Sequence, residues 1–123
     1  MWPFSNKPAQ ATSSLRNQSI AVQEILTDAF SSPGPLYSDD RRRILSDWLG
    51  NFARNLGAAV AAYETGKDMR GNSISKQQIL QGLSRMCADY GSTATLKRLE
   101  DVCGTKIRTR FERVLREVQA AAA

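Results

Sequence analysis

The chain begins with a segment that lacks a periodic apolar pattern and continues into one that has it. Apolar residues recur at helical spacing from Leu15 to Phe30, and two prolines and a glycine within residues 31–35 then end the pattern. This predicts a first helix over residues 14–31. Residues 1–13 contain two prolines and no apolar period, so they predict an extended tail.

The widest apolar stripe runs through the middle of the chain. Ser38 is a residue type that caps helix starts, and apolar residues follow it at the i, i+3, i+4, i+7 spacing of one helix face. They are Ile44, Leu45, Trp48, Leu49, Phe52, Leu56, Ala59, Val60 and Tyr63. The stripe predicts one long central amphipathic helix. Gly50, Gly57 and Ala61 share another side of it, where missing side chains leave room for a partner helix.

Three shorter patterns follow, each bounded by residues that start or end helices. Ser75 and Gln78 have the spacing of a capping box, in which each side chain bonds the backbone of the other residue. This predicts the start of a third helix, and Gly91 is placed to end it. A fourth helix ends before Gly104, and Thr105 caps the last helix.

These patterns predict an all-α protein of about five helices around the long central helix. No segment alternates apolar and polar residues with the period of a β-strand. A length of 123 residues suits a single compact domain. We therefore expect a helical domain over residues 14–123, preceded by the extended tail at residues 1–13.

Composition argues against catalysis. The chain has no histidine, which excludes Ser-His and Cys-His nucleophile pairs and histidine metal sites. Asp39 and Asp40 are adjacent and would diverge by about 100° on a helix, which favours a capping role over a shared proton or metal ion. Cys87 and Cys103 lie outside any CxxC spacing, on predicted inner faces. We expect a protein that is not an enzyme and has no cofactor and no metal site.

The sequence also argues against membrane insertion and export. The most hydrophobic stretch, residues 44–63, contains Asp47 and Arg54, and a charge at the centre of a bilayer costs roughly 2.5–3.5 kcal/mol. No membrane span is therefore predicted. The N-terminus lacks the basic segment and apolar run of a secretory signal, so we expect a cytoplasmic location.

Positive charge is distributed unevenly along the chain. Residues 1–37 balance basic against acidic side chains, so the net charge of +5 belongs to residues 38–123. Two basic clusters lie there, at the start of the central helix and along the last helix: Arg41, Arg42, Arg43, Lys106, Arg110 and Arg113. Asp39 and Asp40 can compensate the first cluster, and the second is typical of a solvated helix face. The alternative is that they bind an anion or the phosphates of a nucleic acid.

The junction between the third and fourth helices resembles a bacterial helix-turn-helix. Within residues 88–99, a glycine turn precedes a helix that opens with serine and threonine, as in that motif. With a turn one residue shorter than usual, the resemblance extends over residues 83–103 and implies that Thr93, Lys97 and Arg98 face a DNA groove. A glycine followed by a capped helix also joins ordinary antiparallel helices.

Two functional hypotheses follow. The first is a non-enzymatic helical interaction or assembly protein of bacterial or phage character, either a homo-oligomer or a subunit of a larger complex. In it, Gly50, Gly57 and Ala61 admit a partner helix, while the aromatic side chains of Trp2 and Phe4 anchor the tail on the partner. The second is a small DNA-binding transcriptional regulator that uses the helix-turn-helix and the basic clusters.

Overall fold

Helices make up nearly all of the chain that the computed structural model describes, namely residues 3–31 and 38–123, with side chains at 13–31, 39 and 41–123. The elements are α1 (Pro3–Ser31), α2 (Ser38–Arg43), a π-helical segment (Ile44–Leu49), α3 (Gly50–Thr65), α4 (Lys76–Tyr90), α5 (Thr93–Cys103) and α6 (Thr105–Ala122). Because α2, the π segment and α3 are continuous, the described residues form five helical rods and no strand. The prediction of a single all-α domain is confirmed.

The first helix is longer than the sequence pattern predicts. α1 begins at Pro3, so the structure has helix where we expect an extended tail. Proline is accommodated at the first helical position because the N–H there has no partner within the helix. Pro8 has no N–H to donate, so it interrupts the hydrogen-bond ladder without ending the helix. Of the two predicted tail anchors, Trp2 lies outside the described residues, and the side chain of Phe4 lies outside the described side chains.

The predicted long helix contains one irregular turn. The backbone N–H of Gly50 donates to the carbonyl oxygen of Leu45, five residues earlier, which is the π-helical pattern. A Cβ atom at position 50 would lie 3.1 Å from that oxygen, so the tight turn favours glycine there. The stripe of buried residues continues on both sides of this turn, as Leu49 and Phe52 show.

The predicted helix cap at Ser75 is confirmed, but Thr105 does not cap α6, because Gly104 holds the N-cap position and no side chain caps that helix. Ser75 and Gln78 form the capping box, each backbone N–H donating to the other side chain at 3.1 Å. Ser92 caps α5 by accepting a hydrogen bond from the N–H of Thr95 at 3.3 Å. Gly66 ends α3 with a φ of 74°, a left-handed conformation that glycine adopts without strain.

An aromatic cluster joins the central helix to α4 and α6. The ring of Phe111 lies 4.9 Å from that of Phe52 and 5.1 Å from that of Trp48, both in edge-on arrangements. The ring of Tyr90 lies 5.2 Å from that of Phe52. Such edge-to-face pairs add to the stabilisation that comes from burying apolar area. The cluster therefore fixes how three helices sit against one another.

α6 shares the centre of the domain with the long helix. It packs against α1, α4 and α5, while α3 packs against α1 and α4. The buried face of α6 consists of Ile107, Phe111, Val114, Leu115 and Val118. α4 packs against both α6 and α3, and a groove remains open between α3 and α4.

Candidate functional site

A groove of about 860 Å³ runs between α3 and α4, which are joined by the loop at residues 66–75. Its floor is made of small and apolar side chains from both helices: Ala58, Ala59, Ala62, Ile79, Leu83 and Met86. We call this feature the α3/α4 groove. It is open to solvent along its length, so its apolar floor is available to a partner.

Small residues are the reason that the groove exists. α3 presents four alanines to it, and α4 contributes Gly82. Around a Cβ atom placed on Gly82, no atom of the described residues lies within 4 Å. The space between the helices is therefore left by missing side chains, and a larger residue at position 82 would enter it without a clash.

The loop at one end of the groove is held by internal hydrogen bonds. The carboxylate of Asp68 accepts from the backbone N–H groups of Arg70 and Asn72, both at 2.9 Å. This bonding holds the loop as a compact turn. Met69 lies on it at the edge of the groove and is 92% exposed. A flexible, polarizable methionine in such a position is typical of surfaces that bind other proteins.

The rim of the groove is polar and electrically balanced. Lys67 and Arg85 supply positive charge, and Asp68 and Asp89 supply negative charge. The ring of Tyr90 lines the groove at its far end and connects it to the aromatic cluster. An apolar floor with a polar rim is the arrangement found where proteins accept an amphipathic helix.

The structure separates the three small residues that we expected to admit a partner helix. Gly57 faces α1 of the same chain, with the Ser19 hydroxyl 4.0 Å from where its Cβ would lie. Gly50 belongs to the π turn, and Ala61 is exposed beside the α3/α4 groove. A helix does approach closely at Gly57, but that helix is the chain's own. Of the three, only Ala61 remains on a surface open to a partner.

Sequence reasoning missed Met69 and Gly82. Met69 lies in a polar stretch that reads as a connection, and Gly82 lies inside a helical pattern whose other residues explain the fold. Both positions carry a signal in retrospect, because an apolar side chain in a polar loop and a glycine within a helix each come at a cost.

Arg41, which we expected to bind an anion, is buried and bonded to the protein's own backbone. Its side chain is 9% exposed, and its guanidinium donates to the backbone carbonyl of Ala29 and, at 3.5 Å, to that of Val102. These carbonyls lie in the last turns of α1 and α5, where the helix dipole favours a cation. Arg42 and Arg43 are exposed. The arginine run therefore divides into one structural residue and two at the surface.

The basic residues of α6 divide in the same way. Arg110 forms an ion pair with Asp28 of α1 at 2.7 Å, so it fastens two helices together. Lys106 and Arg113 are exposed, and neither makes an ion pair among the residues that the structure describes. The outer face of α6 thus keeps two of the three cations that we singled out.

Thr93, Lys97 and Arg98 are exposed on α5, as the helix-turn-helix resemblance implies. The opposite face of α5 is buried against the body. α4 and α5 both pack on α6 and make little contact with each other. This is the packing of an ordinary helical bundle, so the resemblance to the DNA-binding motif rests on the exposed α5 residues alone.

The two cysteines are protected thiols. Burial raises the pKa of the Cys87 thiol from its ordinary value of 9.0 to about 11, and it also raises the pKa of Cys103. Because the thiolate is the reactive form, neither residue has the character of a nucleophile. Among the described residues, no cluster of three or more carboxylates and thiols is placed to hold a metal ion.

The raised pKa of Cys87 makes stability fall with pH in the alkaline range. The unfolded thiol ionises near pH 9 and the folded one near pH 11, so between these values the unfolded state releases its proton first. The contribution is fully present below pH 9. We expect a loss of roughly 1 kcal/mol per pH unit above it. Urea unfolding of wild type and Cys87→Ala at pH 8 and pH 10 measures this, and equal pH dependence in both proteins would contradict it.

In the part of the chain that the structure describes, no helix has the length and apolar content needed to cross a bilayer. No known protein family, curated protein or solved structure matches the chain.

Proposed function

We propose that the protein is a non-enzymatic assembly subunit that self-associates by seating a helix of a second copy in the α3/α4 groove. The observation that carries this proposal is the apolar floor of the groove beside Met69, an apolar side chain left almost fully exposed by a hydrogen-bonded loop. Covering an apolar surface of this kind with a partner is favourable, because apolar area is removed from water.

The shape of the groove favours a helix as the occupant. Its α4 wall runs from Ile79 to Tyr90, a distance of about 16 Å or three helical turns. The alanines of α3 and Gly82 of α4 allow a helix backbone to approach closely. A helix with a narrow apolar stripe fits such a floor, and its polar flanks meet the charged rim.

A second copy is a suitable partner because the chain carries large apolar side chains outside its described core. The sequence places Trp2 and Phe4 ahead of the first buried residue that the structure describes, Leu15. Such side chains give the largest binding contributions in protein interfaces.

Filling the groove is expected to abolish self-association without harming the fold. Gly82→Leu places a large side chain in the groove, whereas Gly82→Ala adds a single methyl group. Both replace glycine inside a helix and should stabilise the monomer by up to about 1 kcal/mol. Light scattering during size exclusion should give a mass well above 13.6 kDa for wild type and Gly82→Ala. Gly82→Leu should give the monomer mass.

Two results would overturn this proposal. One is a wild-type protein that stays at 13.6 kDa at high micromolar concentration. The other is a Gly82→Leu protein that associates as strongly as Gly82→Ala. Thermal unfolding of both variants shows in parallel that the fold is intact.

A second candidate function is binding of duplex DNA through phosphates. It is favoured by Lys106 and Arg113, which stay exposed on α6 without an ion pair among the described residues, and by Lys97 and Arg98 on α5. None of these four side chains lines the α3/α4 groove. Phosphate contacts of this kind are sequence-independent and weaken with salt.

If these four basic residues bind DNA, the double variant Lys106→Ala with Arg113→Ala should lower the affinity for duplex DNA at low salt. The log-log dependence of affinity on salt should also become shallower by about one unit per phosphate contact removed. Fluorescence anisotropy with a labelled duplex measures both. Arg85→Ala, on the groove rim, is the matched control. Absence of wild-type binding at low salt eliminates this function.

A further inference from the structure

We propose that the helix seated in the α3/α4 groove is the N-terminal arm of a second copy, so that copies exchange arms. We call residues 1–12, which precede Ser13, the N-terminal arm. This inference rests on the proposed function and names the occupant of the groove. It gives a role to the aromatic residues at the start of the chain.

The position of α1 on the body shows where the arm leaves it. Arg16 of α1 forms an ion pair with Glu64, the penultimate residue of α3, while Ser19 lies beside Gly57, farther back along α3. The two helices are therefore antiparallel. Residues before Arg16 continue beyond the end of α3, and the helix from Arg16 back to Pro3 spans about 20 Å.

The arm and the groove meet at the same end of the molecule. The loop that closes the groove directly follows Thr65, the last residue of α3, which is also the end that α1 passes. Residues 3–12 form about 15 Å of helix, which matches the three turns of the α4 wall. In two copies related by a two-fold axis, each arm can therefore bind the groove of the other copy. Both grooves are then filled, so the assembly closes as a dimer and does not extend into a filament.

The chemistry of the arm matches that of the groove. Trp2 and Phe4 offer large apolar surfaces, and the floor is built from alanines, aliphatic side chains and Met86. Lys7 is the single charged side chain of the arm, and the rim carries the carboxylates of Asp68 and Asp89. A nearly neutral helix with one cation suits a rim on which positive and negative groups are balanced.

Among the described residues, the outer face of α1 also exposes apolar side chains, but it is a poorer fit. Ile20 and Phe30 are ten residues apart, which places them about 80° apart around the helix axis. The polar residues Gln23 and Thr27 lie between them around the helix. Because this face has no continuous apolar stripe, Phe30 serves as a control position for the arm.

Cross-linking between full-length copies tests the arm exchange directly. One copy carries Ser5→Cys, which leaves Trp2 and Phe4 in place, and the other carries Gly82→Cys; both carry Cys103→Ala, while the buried Cys87 is retained. Mild oxidation of the mixture should give a disulfide that joins position 5 of one copy to position 82 of the other, identified by peptide mass. Ser5→Cys mixed with Asp101→Cys, on the exposed face of α5, should give at least ten-fold less product.

Molar mass of point variants separates this inference from the proposed function. Phe4→Ala should shift the protein to 13.6 kDa, whereas Phe30→Ala should leave the wild-type assembly. If Gly82→Leu dissociates the assembly but Phe4→Ala does not, and positions 5 and 82 fail to cross-link, the arm is not the occupant and the proposed function stands. If wild type is a monomer at high micromolar concentration, both are overturned.

Discussion

Replacing Arg41 with methionine is expected to lower the free energy of unfolding by about 2–4 kcal/mol. The guanidinium is buried and donates to the carbonyls of Ala29 and Val102. Both carbonyls lie in C-terminal helix turns, where no intrahelical N–H is available. Methionine keeps the apolar bulk of the side chain but leaves these carbonyls without their cation. Urea unfolding followed by far-UV circular dichroism measures the loss.

Arg42→Met is the matched control for this experiment. Arg42 is the next residue along the same helix, but its side chain is exposed. A surface substitution of this kind usually changes stability by no more than about 0.5 kcal/mol. If Arg41→Met proves as stable as Arg42→Met, Arg41 does not connect the helix ends as the structure indicates.

Phe111→Ala is expected to cost about 3–5 kcal/mol, a larger loss than that of Arg41→Met. The Phe111 ring is fully buried and lies at the centre of the aromatic cluster, with its neighbours Trp48 and Phe52 within 5.1 Å. The substitution leaves a cavity where three helices meet and removes two edge-on ring contacts. Denaturant unfolding measures the loss, and the emission of Trp48 should change in the folded variant.

Phe30→Ala provides the comparison, because the same atoms are removed from a side chain that is 53% exposed. Its cost should be below about 1 kcal/mol, since little area is buried and no enclosed cavity forms. Comparable losses for the two phenylalanine variants would mean that the cluster does not hold the domain together.

Local signals in the sequence predict most of the fold. The stripe through Phe52, Leu56 and Val60 repeats at 3.6 residues per turn, so its burial follows from periodicity alone. Helix ends at Gly66 and Ser75 follow from backbone conformation and side-chain capping, which involve only neighbouring residues. These features are predictable because their causes lie within a few positions along the chain.

Features that depend on distant partners were not predictable in this way. Within α6, Arg108 pairs with Glu112 four residues away, as the helical spacing allows, but Arg110 pairs with Asp28, 82 residues away. The sequence around Arg41 predicts a surface cation, because its neighbours in the chain do not indicate that the C-terminal ends of α1 and α5 lie beside it. The π turn at Gly50 likewise has no signature in the spacing of apolar residues.

The α3/α4 groove lies between these two cases. Its ingredients are visible in the sequence, namely the alanine-rich end of α3 and Gly82 in α4. Their meeting depends on the packing of α4 against α3 and α6, which involves residues far apart in the chain. The small residues of the central helix do not show in advance that α1 of the same chain lies at Gly57.

Hydrogen exchange at several protein concentrations tests most directly whether the α3/α4 groove is the surface of self-association. The account predicts that amide protection rises with concentration in peptides from residues 58–62 and 79–90, and that Gly82→Leu removes this dependence while Gly82→Ala retains it. Protection that rises instead on the outer faces of α5 and α6, or that does not change with concentration at all, would contradict it.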